Sequence, residues 1–305
     1  MSPFWIWTQA LICVFVLAGI VFCTVHAKTD TKLTPAEVIA KHLESIGSAE
    51  ARARMHGTQI KGNASVTVRL CGEGQVDGQV LIGSSGKMNL IDMNFDTAAY
   101  PYEQLRFDGK SLHVSQYRPG SRTCLGQFFL SHDDVFKEGL VGGTLTEAWP
   151  LLNVEERNPK LEYSGLKKVG DKQLHALKYT PRKGSDVKII LFFEPETFRH
   201  VRTEYQRTVY SSEQRKIGSA PGQLPSASMQ SAPAARVEAY EVFSDFKDEA
   251  GLNLPHTYKF HLQIQSELHP AVVDWAFDLN NFTFNAPLDP SAFTIGNEQK
   301  KEKAN

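Results

Sequence analysis

The sequence predicts a mainly β (α+β) protein: a half-open antiparallel β-barrel of about eleven strands with an N-terminal helix and a mid-chain helical lid. Three observations carry this reading. Residues Leu252 to Ile264 alternate without a break. Leu252, Leu254, His256, Tyr258, Phe260, Leu262 and Ile264 share one face; Asn253, Pro255, Thr257, Lys259, His261 and Gln263 share the other. Strand side chains change face at every residue, so this period excludes a helix and marks a strand with one dry and one wet side. A wet side points to an antiparallel sheet, because parallel strands are covered on both faces. Similar short runs recur along most of the chain, separated by glycines and by Asp108-Gly109, a strong hairpin signal. Helical spacing, by contrast, is confined to the start and the middle.

Residues 1–27 are read apart from the fold. Phe4 to Val25 is almost wholly apolar, and Val25-His26-Ala27 resembles a small-residue cleavage site. The segment is either a secretory signal peptide or a retained membrane anchor, being long enough to span a bilayer. Either way the body, 28–297, lies outside the cytoplasm as a single domain. Thr34-Pro35-Ala36-Glu37 starts a helix: Thr34 caps, Pro35 takes the first helical position and Glu37 completes a capping box. Val38, Ile39, Leu43 and Ile46 form its buried stripe, and Gly47 ends it. A second short helical piece is expected over 48–55.

Strands are expected at 58–70, 75–82, 87–95, 104–107 and 111–117. The middle then changes character. Leu130 to Gly139 reads as a short capped helix, and Leu145, Ala148, Trp149 and Leu152 repeat at helical spacing over 144–152. Strands resume at 160–169, 173–180, 186–194 and 198–210. Residues 211–235, rich in Ser, Ala, Pro, Gly and Gln, read as a flexible loop insert. Strands at 236–246, 252–264 and 272–284 complete the sheet, and 298–305 is a charged tail.

A formal net charge of −1 gives no electrostatic footprint for nucleic acid, which leaves small molecules, lipids or proteins as partners. The chain has no Gly-x-Ser-x-Gly elbow, no phosphate-cradling glycine loop and no His-Glu-x-x-His. It has no Cys-x-x-Cys or paired-His spacing, so neither a metal nor a cofactor is expected. His132-Asp133-Asp134 reads as a helix cap with acids in the first turn. His256, in the dry row of its strand, reads as a core histidine with satisfied hydrogen bonds. Cys13 and Cys23 fall in the leader, which leaves Cys71 and Cys124 free to form one disulfide in an exported protein. Several strands are apolar on both faces: Val187, Ile189, Leu191 and Phe193 oppose Ile190 and Phe192. This fits plain core packing or the lining of an apolar concavity.

Specific pieces resemble a known family. They are Leu191-Phe192-Phe193-Glu194-Pro195-Glu196-Thr197, then Val242-Phe243-Ser244-Asp245-Phe246 running on to Gly251-Leu252-Asn253-Leu254-Pro255-His256, and the ending from Phe282-Thr283-Phe284-Asn285 to Phe293. With the element order, they are similar to the lipoprotein-carrier (LolA/LolB-like) superfamily of outer-membrane lipoprotein-sorting proteins. The resemblance implies a half-open barrel whose apolar concave side shelters acyl chains of a lipid or lipoprotein beneath a helical lid, with no chemical step. On this chain the lid would comprise Val38, Leu43, Ile46, Phe128, Phe129, Leu140, Leu145, Trp149 and Leu152. Gly139 and Gly142-Gly143 would be its hinges. Leu191, Phe193, Tyr258, Phe260, Trp275 and Phe277 would line the cavity. The implied setting is the periplasm or cell envelope, with membrane contact and an envelope protein partner. The alternative is an envelope sensor or scaffold on the same fold without a transport role. The chain departs from the family in its long 211–235 insert, and it lacks the lipid-attachment cysteine expected of a membrane-anchored receptor relative.

Overall fold

A computed structural model describes residues 33–69, 73–209, 235–265 and 270–296. The leader over 1–27, Cys71, residues 211–234 of the insert and the 298–305 tail lie outside the described residues.

Twelve strands form one antiparallel sheet. They are β1 (Thr58–Arg69), β2 (Glu73–Ser85), β3 (Met88–Phe95), β4 (Tyr102–Phe107), β5 (Leu112–Val114), β6 (Lys160–Val169), β7 (Lys172–Thr180), β8 (Lys188–Phe193), β9 (His200–Val209), β10 (Ala235–Glu249), β11 (Leu252–Gln265) and β12 (Ala271–Thr283). Their spatial order is β5-β4-β3-β2-β1-β12-β11-β10-β9-β8-β7-β6. The sheet does not close: β5 and β6, neighbours in sequence, are its two opposite edges. Each hairpin pairs successive strands, and the first and last strands pair to join the two halves.

Bulges bend the sheet. The β1–β12 register shifts between Lys61 and Gly62, and a Cβ on Gly62 would stand 2.2 Å from the Asp278 carbonyl oxygen. Only glycine lets the two backbones approach that closely, and the extra residue sharpens the local twist. Another bulge lies in β6 between Tyr163 and Leu166. Together with exposed Lys160, Lys167 and Lys168 it blunts that edge against pairing with other chains. The long strand behaves as its alternation requires. Leu252, Leu254, Tyr258, Phe260 and Leu262 are buried, and Lys259 is exposed. Pro255 sits where β11 has run past β12, whose pairing begins at Thr257, so its missing N–H breaks no ladder there.

Helix α1 (Pro35–Ile46) carries the expected capping box. Thr34 Oγ1 accepts from the Glu37 N–H at 3.2 Å, and the Glu37 carboxylate accepts from the Thr34 N–H at 2.7 Å. It packs on β11 and the β6 edge. A short α2 (Ala49–Ala53) follows. The mid-chain segment differs from expectation. Helix α3 (Cys124–Ser131) starts earlier, capped by Thr123, and α4 (Asp133–Lys137) stops before Gly139. The helix expected over 144–152 is instead two 3-10 turns, Gly143–Leu145 and Pro150–Asn153, leading into α5 (Val154–Arg157). Pro150 explains the break, because a proline pushes the residue before it out of the helical region, and Trp149 has ψ 117°.

Gly62→Val is expected to lower stability by about 2 kcal/mol or more in urea unfolding, through the clash with Asp278. Gly74→Val, at a site with nothing within 4 Å, should change it by less than about 0.5 kcal/mol.

Candidate functional site

The inner face of the sheet is a wall of apolar side chains. Ile60, Ile82, Ile91, Leu105, Leu177, Ile189, Leu191, Phe243, Phe260 and Trp275 all lie in one buried cluster. The segment 115–159 crosses this wall, since it must run from edge strand β5 to edge strand β6. Its side chains fill the concavity. Phe129 packs against Phe260 with ring centroids 5.4 Å apart, and Trp149 lies 4.5 Å from His200. Trp149 and Leu140 have no exposed surface. The expected lid and lining residues therefore meet in a single place. Val38, Ile46, Phe128, Phe129, Leu140, Leu145, Trp149, Leu191, Phe193, Tyr258, Phe260, Trp275 and Phe277 are buried together, with Leu43 and Leu152 packed against them half-buried. Hollows of about 510, 470 and 560 Å³ open at the surface, the first lined by Phe277 beside Gln75 and Asp77, the second by Leu152 beside Arg52 and Glu156, and the third by Leu130 beside Gln104 and Arg122.

The segment is fastened to the wall by a few buried polar groups. Glu241 of β10 points inward, in phase with Val237, Ala239 and Phe243. Its carboxylate accepts from the Gly142 N–H at 2.7 Å, the Tyr205 hydroxyl at 2.6 Å and the Tyr258 hydroxyl at 2.7 Å. Burial pushes this carboxyl up to about 7 against the pull of those three donors. The same burial, with the Glu241 charge, raises both tyrosines, which therefore stay donors. Glu103 of β4 does the equivalent at the start of the segment. It accepts from Thr123, the cap of α3, at 2.5 Å and from Tyr100 at 2.8 Å, and burial pushes it up to about 7. A third fastener joins the segment to α1: Trp149 Nε1 donates to His42 Nε2 at 3.0 Å, and His42 Nδ1 in turn faces the Phe198 carbonyl at 3.1 Å. Burial pulls His42 down to about 4, so the ring is neutral and can accept. Gly139, Gly142 and Gly143 take φ of 74°, 83° and 51°, which L side chains rarely adopt, so glycine suits these turns of the segment.

Sequence reasoning missed Glu103, Glu241, His42 and His200. The signal was present for the two acids, each of which falls on the inward phase of an alternating strand. His256 is buried as expected, with Nε2 2.9 Å from Glu249 and Nδ1 3.3 Å from the Leu254 carbonyl. Among the described residues Cys124 has no disulfide partner, and its expected partner Cys71 lies outside them; burial and then the Glu103 charge push the Cys124 thiol up to about 11. The expected capping role of His132 is not found: the ring makes no cap hydrogen bond and is buried. Instead it lies near Asp134 and Asp186, with Arg207 Nη1 3.1 Å from its Nε2 and Arg207 Nη2 2.7 Å from Asp186. A guanidinium only donates, so Nε2 accepts and Nδ1 carries the proton toward Asp186. In that state the ring offers no lone pair to a cation, and Arg207 already supplies the positive charge.

No family model matches the sequence, and no curated protein matches it. Solved structures of the LolA superfamily do match. One is a LolA superfamily protein from Nitrosomonas europaea, 10% identical, with TM-score 0.43, covering 86% of this chain and 98% of that one. Another is an outer membrane lipoprotein-sorting protein domain from Vibrio parahaemolyticus, 13% identical, with TM-score 0.41, covering 84% and 97%. A DUF1329 family protein from Desulfovibrio piger is 9% identical, with TM-score 0.41, covering 85% and 96%. Each likeness is remote, so ligand and partner have to be read from the geometry of this chain. Among the described residues, no helix is long and apolar enough to cross a membrane.

Glu241 holds its proton to higher pH in the fold than in the unfolded chain, whose value is near 4.5. Its favourable contribution is whole below that value and is lost as pH rises through about 7. Urea unfolding of wild type and Glu241→Gln at about pH 5 and pH 8 should therefore show the wild type losing stability relative to the variant as pH rises.

Proposed function

We propose that the chain is a non-catalytic binding protein of the periplasm or cell envelope that shelters acyl chains of a lipid or lipoprotein against its concave wall. One observation carries this reading: the wall is filled by Phe129, Leu140, Leu145 and Trp149 of a segment made of short, glycine-jointed pieces and not by a rigid core helix. Burying those four side chains is worth about 1.5–3 kcal/mol each, or roughly 6–12 kcal/mol together. An acyl chain of about a dozen methylenes gains about 10 kcal/mol at 0.8 kcal/mol per CH₂. The two are comparable, so a chain can take the place of these four side chains, while Leu125, Val135, Phe136 and Leu151 of the same segment, which are buried too, keep the rest of it on the wall. The apolar leader supports export, and delivery would involve membrane contact and an envelope protein partner.

A second reading is favoured by the closed wall. A scaffold or sensor on the same fold, without a transport role, would keep the concavity filled and act through its surface.

The full chain, purified from lipid-rich cells, should carry bound lipid in native mass spectrometry and release a fluorescent acyl probe with an uncharged head when a longer acyl chain is added. Protein that never carries lipid and takes up no fluorescent probe would leave the scaffold reading in its place.

A further inference from the structure

We infer that Glu241, with Tyr205 and Tyr258, forms a recognition site on the concave wall for a nitrogen that donates a hydrogen bond, an amide N–H or an ammonium, at the head of the acyl ligand. This rests on the acyl-binding reading and adds to it the chemistry of the head group.

Three features point this way. The first is where the donors come from. Tyr205 and Tyr258 stand on β9 and β11 of the wall itself, so they hold the carboxylate in place whether or not the crossing segment is seated. Only the Gly142 N–H comes from that segment. Lifting the segment therefore leaves a fixed, buried acceptor with one partner missing, in the middle of an apolar surface. An acceptor in that state has to be re-satisfied, and a ligand that brings an N–H does so.

The second feature is His200. It is buried, its Nε2 is 2.9 Å from Thr203 Oγ1, and its Nδ1 has no hydrogen-bond partner. That nitrogen faces the same loop: a Cβ on Gly143 would stand 3.0 Å from it. The ring is held neutral by burial and by His42 nearby, against a hydrogen bond with the Arg202 backbone, and Thr203 Oγ1 can either donate or accept. Glu241 and His200 thus confront adjacent residues of the Gly142–Gly143 stretch. In the closed protein this polar patch is occupied by main-chain amide; in the loaded protein an amide-linked acyl chain offers the same group.

The third feature is charge. A backbone N–H needs only a neutral acceptor, yet the wall carries a carboxylate, whose burial is unfavourable unless it is well supplied with donors. A carboxylate rejects fatty-acid and phosphate heads by like-charge repulsion, and an ester head, lacking N–H, leaves it unsatisfied.

The test uses the full chain at pH 8, with a fluorescent acyl probe and four competitors of one chain length: N-methyl tetradecanamide, tetradecylammonium, methyl tetradecanoate and tetradecanoate. The amide and the ammonium should compete at least 10-fold better than the ester or the acid. Glu241→Gln should lose most of the preference for ammonium while the ester competes as before. The wild-type comparison decides the matter by itself if the variant folds poorly. If the ester competes as well as the amide in wild type, the head-group site is wrong and acyl binding stands. If no competitor displaces the probe because the probe does not bind, the acyl-binding reading fails and this site fails with it.

Discussion

The inward face of the twelve-stranded sheet has to be kept from water, and among the described residues there is no second sheet to do it. The sheet supplies the cover from its own connectivity. Because β5 and β6 are opposite edges, the chain between them must cross the concave side, and that crossing carries the aromatic and leucine residues the wall requires. The cover is therefore tethered at both ends by edge strands. Gly139, Gly142 and Gly143 lie in the middle of that tethered stretch.

Apolar contact alone would make such a cover adhesive without fixing its position. The fixed positions come from Glu103 at Thr123, Glu241 at Gly142 and His42 at Trp149. In each, burial shifts a titratable group toward its neutral form, and each uses its hydrogen bonds on a different piece of the crossing segment. Buried polar contacts of this kind specify one arrangement more than they add to stability, since the groups involved were well hydrated in the unfolded chain.

The strands were legible in the sequence because a two-residue period over a run such as Leu252 to Ile264 has no other explanation. Which strand residues are buried was legible for the same reason. Once Tyr258 and Phe260 are assigned to the dry row of an antiparallel strand, their register with Phe277 and Trp275 follows from the hairpin. The crossing segment was less legible. The spacing of Leu145, Ala148, Trp149 and Leu152 suits a helix, but Pro150 within that run takes Trp149 out of the helical region, and apolar spacing by itself does not register this. The fasteners were hidden for a different reason. His42 lies in a helix whose expected stripe ran through Leu43, and the structure turns the helix so that His42 is inside and Leu43 only half-buried. What an acid on a dry strand face will bond to depends on which distant element arrives above it, and no local pattern encodes that.

The pairing of β1 with β12 has a consequence for how the chain is made. Every other strand finds its partner next to it in sequence, but β1 shares one long edge with a strand more than two hundred residues away, Gln59 lying opposite Thr283. Until the final strand is available, that edge presents unpaired backbone together with the alternating apolar row of Ile60, Ala64 and Val66. Such an edge invites pairing with other chains, and its closure over so long a loop is slow. A nascent or truncated chain is thus most vulnerable at its earliest strand, and quality control in the compartment where it folds would meet it there first.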